Sequence, residues 1–91
     1  MRLVEGFQLR QIGQDYIAVP AGPAARRFNG LLTFNETGAF LFEALQREQD
    51  RPALLAALEE TFDAPRDLLE RDLKGFLTQM EELNLLEGDL P

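Results

Sequence analysis

Sixteen Asp and Glu side chains, nine Lys and Arg, four threonines and one tyrosine are the groups on which chemistry could be built in this chain, which contains neither His nor Cys. Thiolate nucleophiles, disulfides and the usual zinc or haem ligands are thereby excluded. A general acid or base would have to be a carboxylate, a lysine or the tyrosine. The carboxylates are not spaced for that work: Glu59-Glu60 and Glu81-Glu82 are sequence neighbours, which on a helix project to different sides and read as solvated surface. No nucleophile stands at a telling distance from a base. No Gly-rich phosphate loop is present, and Asn35-Glu36-Thr37-Gly38 puts a carboxylate where a bound anion would sit. No catalytic residue, no cofactor and no metal site is expected.

The formal net charge is -7, and residues 51–91 carry ten acids against four bases. That balance opposes phosphate binding, so no nucleic-acid partner is expected. Arg26-Arg27, the only adjacent basic pair, reads as a solvated loop pair. The opening MRLVEGFQLR never builds the apolar stretch of a signal peptide or membrane span, so a cytoplasmic location without a membrane partner is the expectation.

With 45% hydrophobic residues in 91, the chain suits one small domain over residues 1–91. From Phe7 to Pro20 polar and apolar residues alternate, Phe7 and Leu9 against Gln8 and Arg10, then Ile17 and Val19 against Tyr16 and Ala18. This predicts a hairpin with strands near 7–12 and 16–20 and Gly13-Gln14-Asp15 between them. The Gly and Pro of Ala21 to Gly30 predict turns rather than a regular element. A short strand follows at 31–34. Asn35 is an N-cap for a helix near 36–47, with Gly38, Leu41, Phe42 and Leu45 as its apolar stripe. Asp50 and Pro52 open a helix near 51–62 that buries Leu54, Leu55, Leu58 and Phe62, and Pro65 opens another near 65–83. In that last helix Leu69, Leu73, Phe76, Leu77, Met80 and Leu83 recur at three and four, and Asn84 falls where a left-handed terminating residue belongs. The order βββααα predicts an α+β fold of the winged helix-turn-helix kind, with a three-stranded antiparallel sheet followed by three helices.

A final strand that runs straight into a helix leaves one side unpaired, and Leu31, Leu32 and Phe34 make this one apolar on both faces without the Lys or Pro of a guarded edge. An extended peptide, the chain's own tail or a second copy would each pair there. Two other classes fit the same elements. A winged-helix DNA-binding or regulatory protein would need a basic last helix, whereas Arg66, Arg71 and Lys74 are outnumbered by Asp67, Glu70, Asp72, Glu81 and Glu82. A homo-oligomerising module would pair the 31–34 strand across a two-fold axis.

Residues 16–45, YIAVPAGPAARRFNGLLTFNETGAFLFEAL, together with RDLKGFLTQMEELNLLE at 71–87, resemble the PqqD-like family. The junction Asn35-Glu36-Thr37-Gly38-Ala39 with Phe42, and the pattern Asp72, Phe76-Leu77, Leu83-Asn84-Leu85-Leu86, carry the likeness. The resemblance implies a precursor-peptide recognition element, a winged-helix chaperone that holds the leader of a ribosomally made peptide for a modifying enzyme. It implies that the leader adds as a strand to Leu31, Leu32, Thr33 and Phe34 and lies against the last helix. The stripe one position round from that helix's buried face, Leu68, Asp72, Phe76 and Gln79, would then line the peptide, with Gly75 leaving room for a side chain. Members serving pyrroloquinoline quinone synthesis carry a Tyr-Pro-Glu-Gly turn and an aromatic near the C-terminus. This chain has Val19-Pro20-Ala21-Gly22 and Leu85-Leu86, and looks more like stand-alone members that accompany other radical S-adenosylmethionine enzymes. The implied partners are a leader peptide and such an enzyme, and the implied state is a monomer or weak dimer.

Overall fold

A computed structural model describes residues 1–88; the last three residues of the expected domain lie outside them. The chain runs β1 (Arg2–Leu3), β2 (Gln8–Ile12), β3 (Asp15–Val19), α1 (Pro23–Arg27), β4 (Leu32–Phe34), α2 (Glu36–Ala44), α3 (Arg51–Thr61), α4 (Arg66–Glu82) and β5 (Leu86–Glu87). The fold is α+β: β2, β3 and β4 form an antiparallel sheet in sequence order, and β1 pairs with β5 in a separate two-stranded sheet.

The turn sets the faces of the sheet. Gly13 has φ 65°, and Ile12 pairs with Asp15 across Gly13-Gln14, the two-residue connection with Gly first that suits a type II′ hairpin. A three-residue connection, as the sequence alone suggests, would have set Leu9 opposite Val19. The tighter turn instead pairs Leu9 with Ala18, and one residue of register exchanges the two faces of a strand. Ala18 and Tyr16 therefore face the helices together with Leu9, Leu32 and Phe34, while Ile17 and Val19 lie on the outer face with Gln8, Arg10 and Thr33.

Asn35 Oδ1 accepts from the Gly38 amide at 2.9 Å and Asp50 Oδ1 from the Ala53 amide at 2.8 Å, the caps that let α2 and α3 begin where they do. Leu41 and Phe42 from α2 with its C-cap Leu45, Leu54 and Leu58 from α3 and Leu69, Leu73 and Met80 from α4 meet in the core. Asn84 has φ 59°. Its amide donates to Glu81 O at 3.0 Å, and the Leu85 amide to Met80 O at 2.9 Å. These are the two bonds of a Schellman stop, with buried Met80 and Leu85 as its apolar pair.

Three short elements add to the expected βββααα order. The segment Ala21 to Gly30 contains a helical turn, because Pro23 suits a first turn and Ala24, Ala25, Arg26 and Arg27 are all strong helix formers. The strands β1 and β5 are two residues each, too short to alternate, and exist through the remote pairs Arg2↔Glu87 and Leu3↔Leu86. Helix α2 stops at Ala44 instead of near residue 47; the Gln46 and Arg47 amides tighten to i−3 carbonyls.

Candidate functional site: a groove between a strand edge and a helix

The edge of β4 has one unpaired residue, and the hairpin dictates which. In an antiparallel ladder, pairs that exchange both backbone bonds alternate with pairs that exchange none. Counting from the closing pair Ile12↔Asp15, the backbones of Tyr16 and Ala18 point away from β2 and meet Phe34 and Leu32. Thr33, opposite Ile17, directs its N–H and C=O outward, and no loop or cap bond among the described residues takes them up.

Facing this edge is α4, whose buried stripe anchors one wall. The Phe34 ring sits 5.3 Å from Phe42 and 5.5 Å from Phe76, centroid to centroid. Helix α2 starts so close to β4 that a Cβ on Gly38 would stand 3.1 Å from Phe34 Cβ and Cδ1. Between them lies a groove of about 370 Å³ lined by Thr33 and Phe34 on the strand, by Asn35, Thr37 and Gly38 at the junction, and by Arg71, Asp72, Gly75, Phe76 and Gln79 on α4. Its lining carries one cation and one anion. Asp72, half-buried, enters no ion pair and no side-chain hydrogen bond among the described residues. A Cβ on Gly75 would meet nothing within 4 Å.

Of the sequence-predicted residues, Thr33, Phe34, Asp72, Gly75, Phe76 and Gln79 come together around this groove. Leu32 is 5% exposed and belongs to the core; Leu31 is 61% exposed beyond the strand's end. Leu68 stands on the same side of α4 one turn before Asp72 and outside the groove lining. Sequence reasoning missed Arg71, which lies beside Asp72, and the junction residues Asn35, Thr37 and Gly38. The close approach that glycine at 38 signals was the available clue. Among the described residues no helix is long and apolar enough to cross a membrane, and no three Asp or Glu gather as for a metal ion.

No curated protein matches the chain. Among solved structures, TbiB1 in complex with the TbiA(beta) leader peptide has the same fold, with a TM-score of 0.70 over 100% of both chains at 18% identity. Residues 22–86, which span α1 to the start of β5 and so include both walls of the groove, match the family described as coenzyme PQQ synthesis protein D (PqqD), and the chain belongs to that family.

Proposed function

We propose that this protein is a non-catalytic adaptor that captures the leader of a ribosomally synthesised precursor peptide and presents it to a modifying enzyme. The observation that carries the reading is the outward-directed backbone of Thr33 facing a helix whose Gly75 leaves unused space. A peptide strand added to β4 would exchange both backbone bonds with Thr33, and alternate side chains would enter the groove over Gly75 and against Phe76. Backbone pairing supplies affinity for any extended segment; the groove supplies selectivity. Asp72, with no partner among the described residues, is the acceptor for a donor on the peptide. The TbiB1 complex, in which a protein of this fold holds a leader peptide, supports the same use.

The enzyme served belongs, on the sequence resemblance, to the radical S-adenosylmethionine class and acts in the cytoplasm. The Val19-Pro20-Ala21-Gly22 turn and the Leu85-Leu86 ending point to a product other than pyrroloquinoline quinone. The adaptor works as a monomer or weak dimer, because a peptide on β4 occupies the edge that a second copy would need to pair there.

Two proline variants test the reading by titration with the candidate leader and by circular dichroism. Thr33→Pro deletes the outward donor, so the variant stays folded and loses roughly 0.5–1.5 kcal/mol of binding for that bond, with the ring's clash in addition. Leu32→Pro deletes a bond to β3 and a buried side chain, so the fold itself is lost or loses about 2–5 kcal/mol. If Thr33→Pro is folded and binds the leader as the wild type does, the peptide does not pair with this edge.

A further inference from the structure

Helix α2 is a wall of two clefts. Asn35, Thr37 and Gly38 at its start face the groove described above, whereas Glu36, Phe40 and Glu43, spaced four and three apart along one stripe of the same helix, line another cleft of about 290 Å³. Half-buried Leu9 and Tyr16 from the sheet and Phe62 at the end of α3 complete its apolar lining. The Phe40 and Phe62 rings meet edge to face, 5.5 Å between centroids. No base lines this cleft, and among the described residues neither Glu36 nor Glu43 enters an ion pair, Arg47 one turn past Glu43 included. Glu43 also stands in the last turn of α2, where the helix dipole favours a cation. Its charge thus serves neither the helix nor a partner among the described residues. The two clefts are neighbours, since Tyr16 of one pairs across the sheet with Phe34 of the other.

We propose that this cleft docks the modifying enzyme through a Lys or Arg side chain set among apolar ones, a proposal that rests on the adaptor reading. Aromatic faces and carboxylates both attract a cation, and the methylene stem of Lys or Arg suits the apolar wall beneath them. A second copy of this chain, at net charge -7, would bring like charge against like. An enzyme held on the Glu36, Phe40 and Glu43 stripe would sit beside α2 while the leader lies along that helix's Thr37 and Gly38 flank, which is the closeness that presentation of a bound peptide requires.

A random peptide library displayed on phage supplies the probe, selected on Thr33→Pro so that strand addition is blocked. It should enrich Lys or Arg beside Leu, Phe or Trp. A synthetic peptide from that selection, titrated into isotope-labelled wild type and followed by NMR, should shift the amides of Phe40 and Phe62 and leave those of Thr33 and Gly75 in place. It should bind the Glu36→Gln/Glu43→Gln double variant, checked for folding by circular dichroism, roughly two- to tenfold more weakly at low salt, with the difference closing at high salt. Glu43→Gln alone should weaken the probe while the melting temperature rises slightly. Glu82→Gln, at an exposed position on α4, should change nothing. The docking site is overturned if no such peptide is enriched, if the probe shifts Thr33 and Gly75 instead, if the double variant binds it as the wild type does, or if Glu82→Gln weakens it equally. It falls too if the candidate leader itself shifts Phe40 and Phe62, which makes the peptide the occupant, or if those amides shift with protein concentration alone, which makes a second copy the occupant. In each of these cases a leader that binds the wild type and is lost on Thr33→Pro leaves the adaptor reading standing; a wild type that binds no leader takes both down.

Discussion

Gly38 stands in the first turn of α2 and Gly75 in the middle of α4, where Gly costs about 1 kcal/mol relative to Ala in a helix interior. Their surroundings are opposite. A methyl on Gly38 would press on Phe34 Cβ and Cδ1 at 3.1 Å and on Asn35 Oδ1 at 3.3 Å, whereas a methyl on Gly75 would touch nothing within 4 Å. Packing accounts for the first glycine: it lets α2 begin directly against β4 and so sets the angle of the junction. The fold makes no use of the space at the second. On the proposed reading that space belongs to the peptide, since Gly75 lines the groove that faces the outward backbone of Thr33.

The largest expected effect breaks the Gly38 half of this contrast. Phe34→Ala removes the ring shared by Gly38, Phe42 and Phe76 and should lower unfolding free energy by about 3–5 kcal/mol, measured by denaturant titration. Gly38→Ala alone should cost about 1–3 kcal/mol, because Phe34 is wedged between two other rings and cannot yield. In the Phe34→Ala background, where Cδ1 is gone and only Cβ and Asn35 Oδ1 remain close, the same change should cost less; an unchanged cost there would show that the ring is not what excludes the methyl.

Gly75→Ala sharpens the other half, because stability and binding should move in opposite directions. The melting temperature should rise, for a gain of about 1 kcal/mol or somewhat less, while leader affinity falls as the methyl fills the groove. A variant both more stable and equally tight would remove Gly75 from the site.

The smallest effect is expected for Asn84→Gly, at a site where backbone conformation and not space selects the residue. Asn84→Gly should change stability by a few tenths of a kcal/mol, since both residues tolerate φ 59°. Asn84→Val should cost about 1–2 kcal/mol. Equal melting temperatures for the two would contradict the Schellman stop.

Local chemistry made much of this legible in the sequence. The caps at Asn35 and Asp50, Pro65 at the start of α4, the repeat from Leu69 to Met80 and the left-handed Asn84 each depend on neighbours within about one helical turn, and each is where the residues placed it. Six of the nine expected site residues line one groove for the same reason, since a strand that alternates and a helix with a known buried stripe leave little choice of outward face. What the sequence by itself determined was therefore the type of the main elements, their order and the apolar face of each helix. Tertiary structure alone decided the rest. One residue in the Gly13-Gln14 turn chose which face of β3 is buried, and through the alternation of ladder bonds it made Thr33, not Leu32, the residue with free backbone groups. The β1 and β5 pair and the Arg27 to Asn84 contact join residues more than fifty positions apart, where periodicity carries no signal. Short-range rules act through covalent neighbours, whereas register and closure depend on which distant surfaces meet, and that is settled only when the whole chain packs.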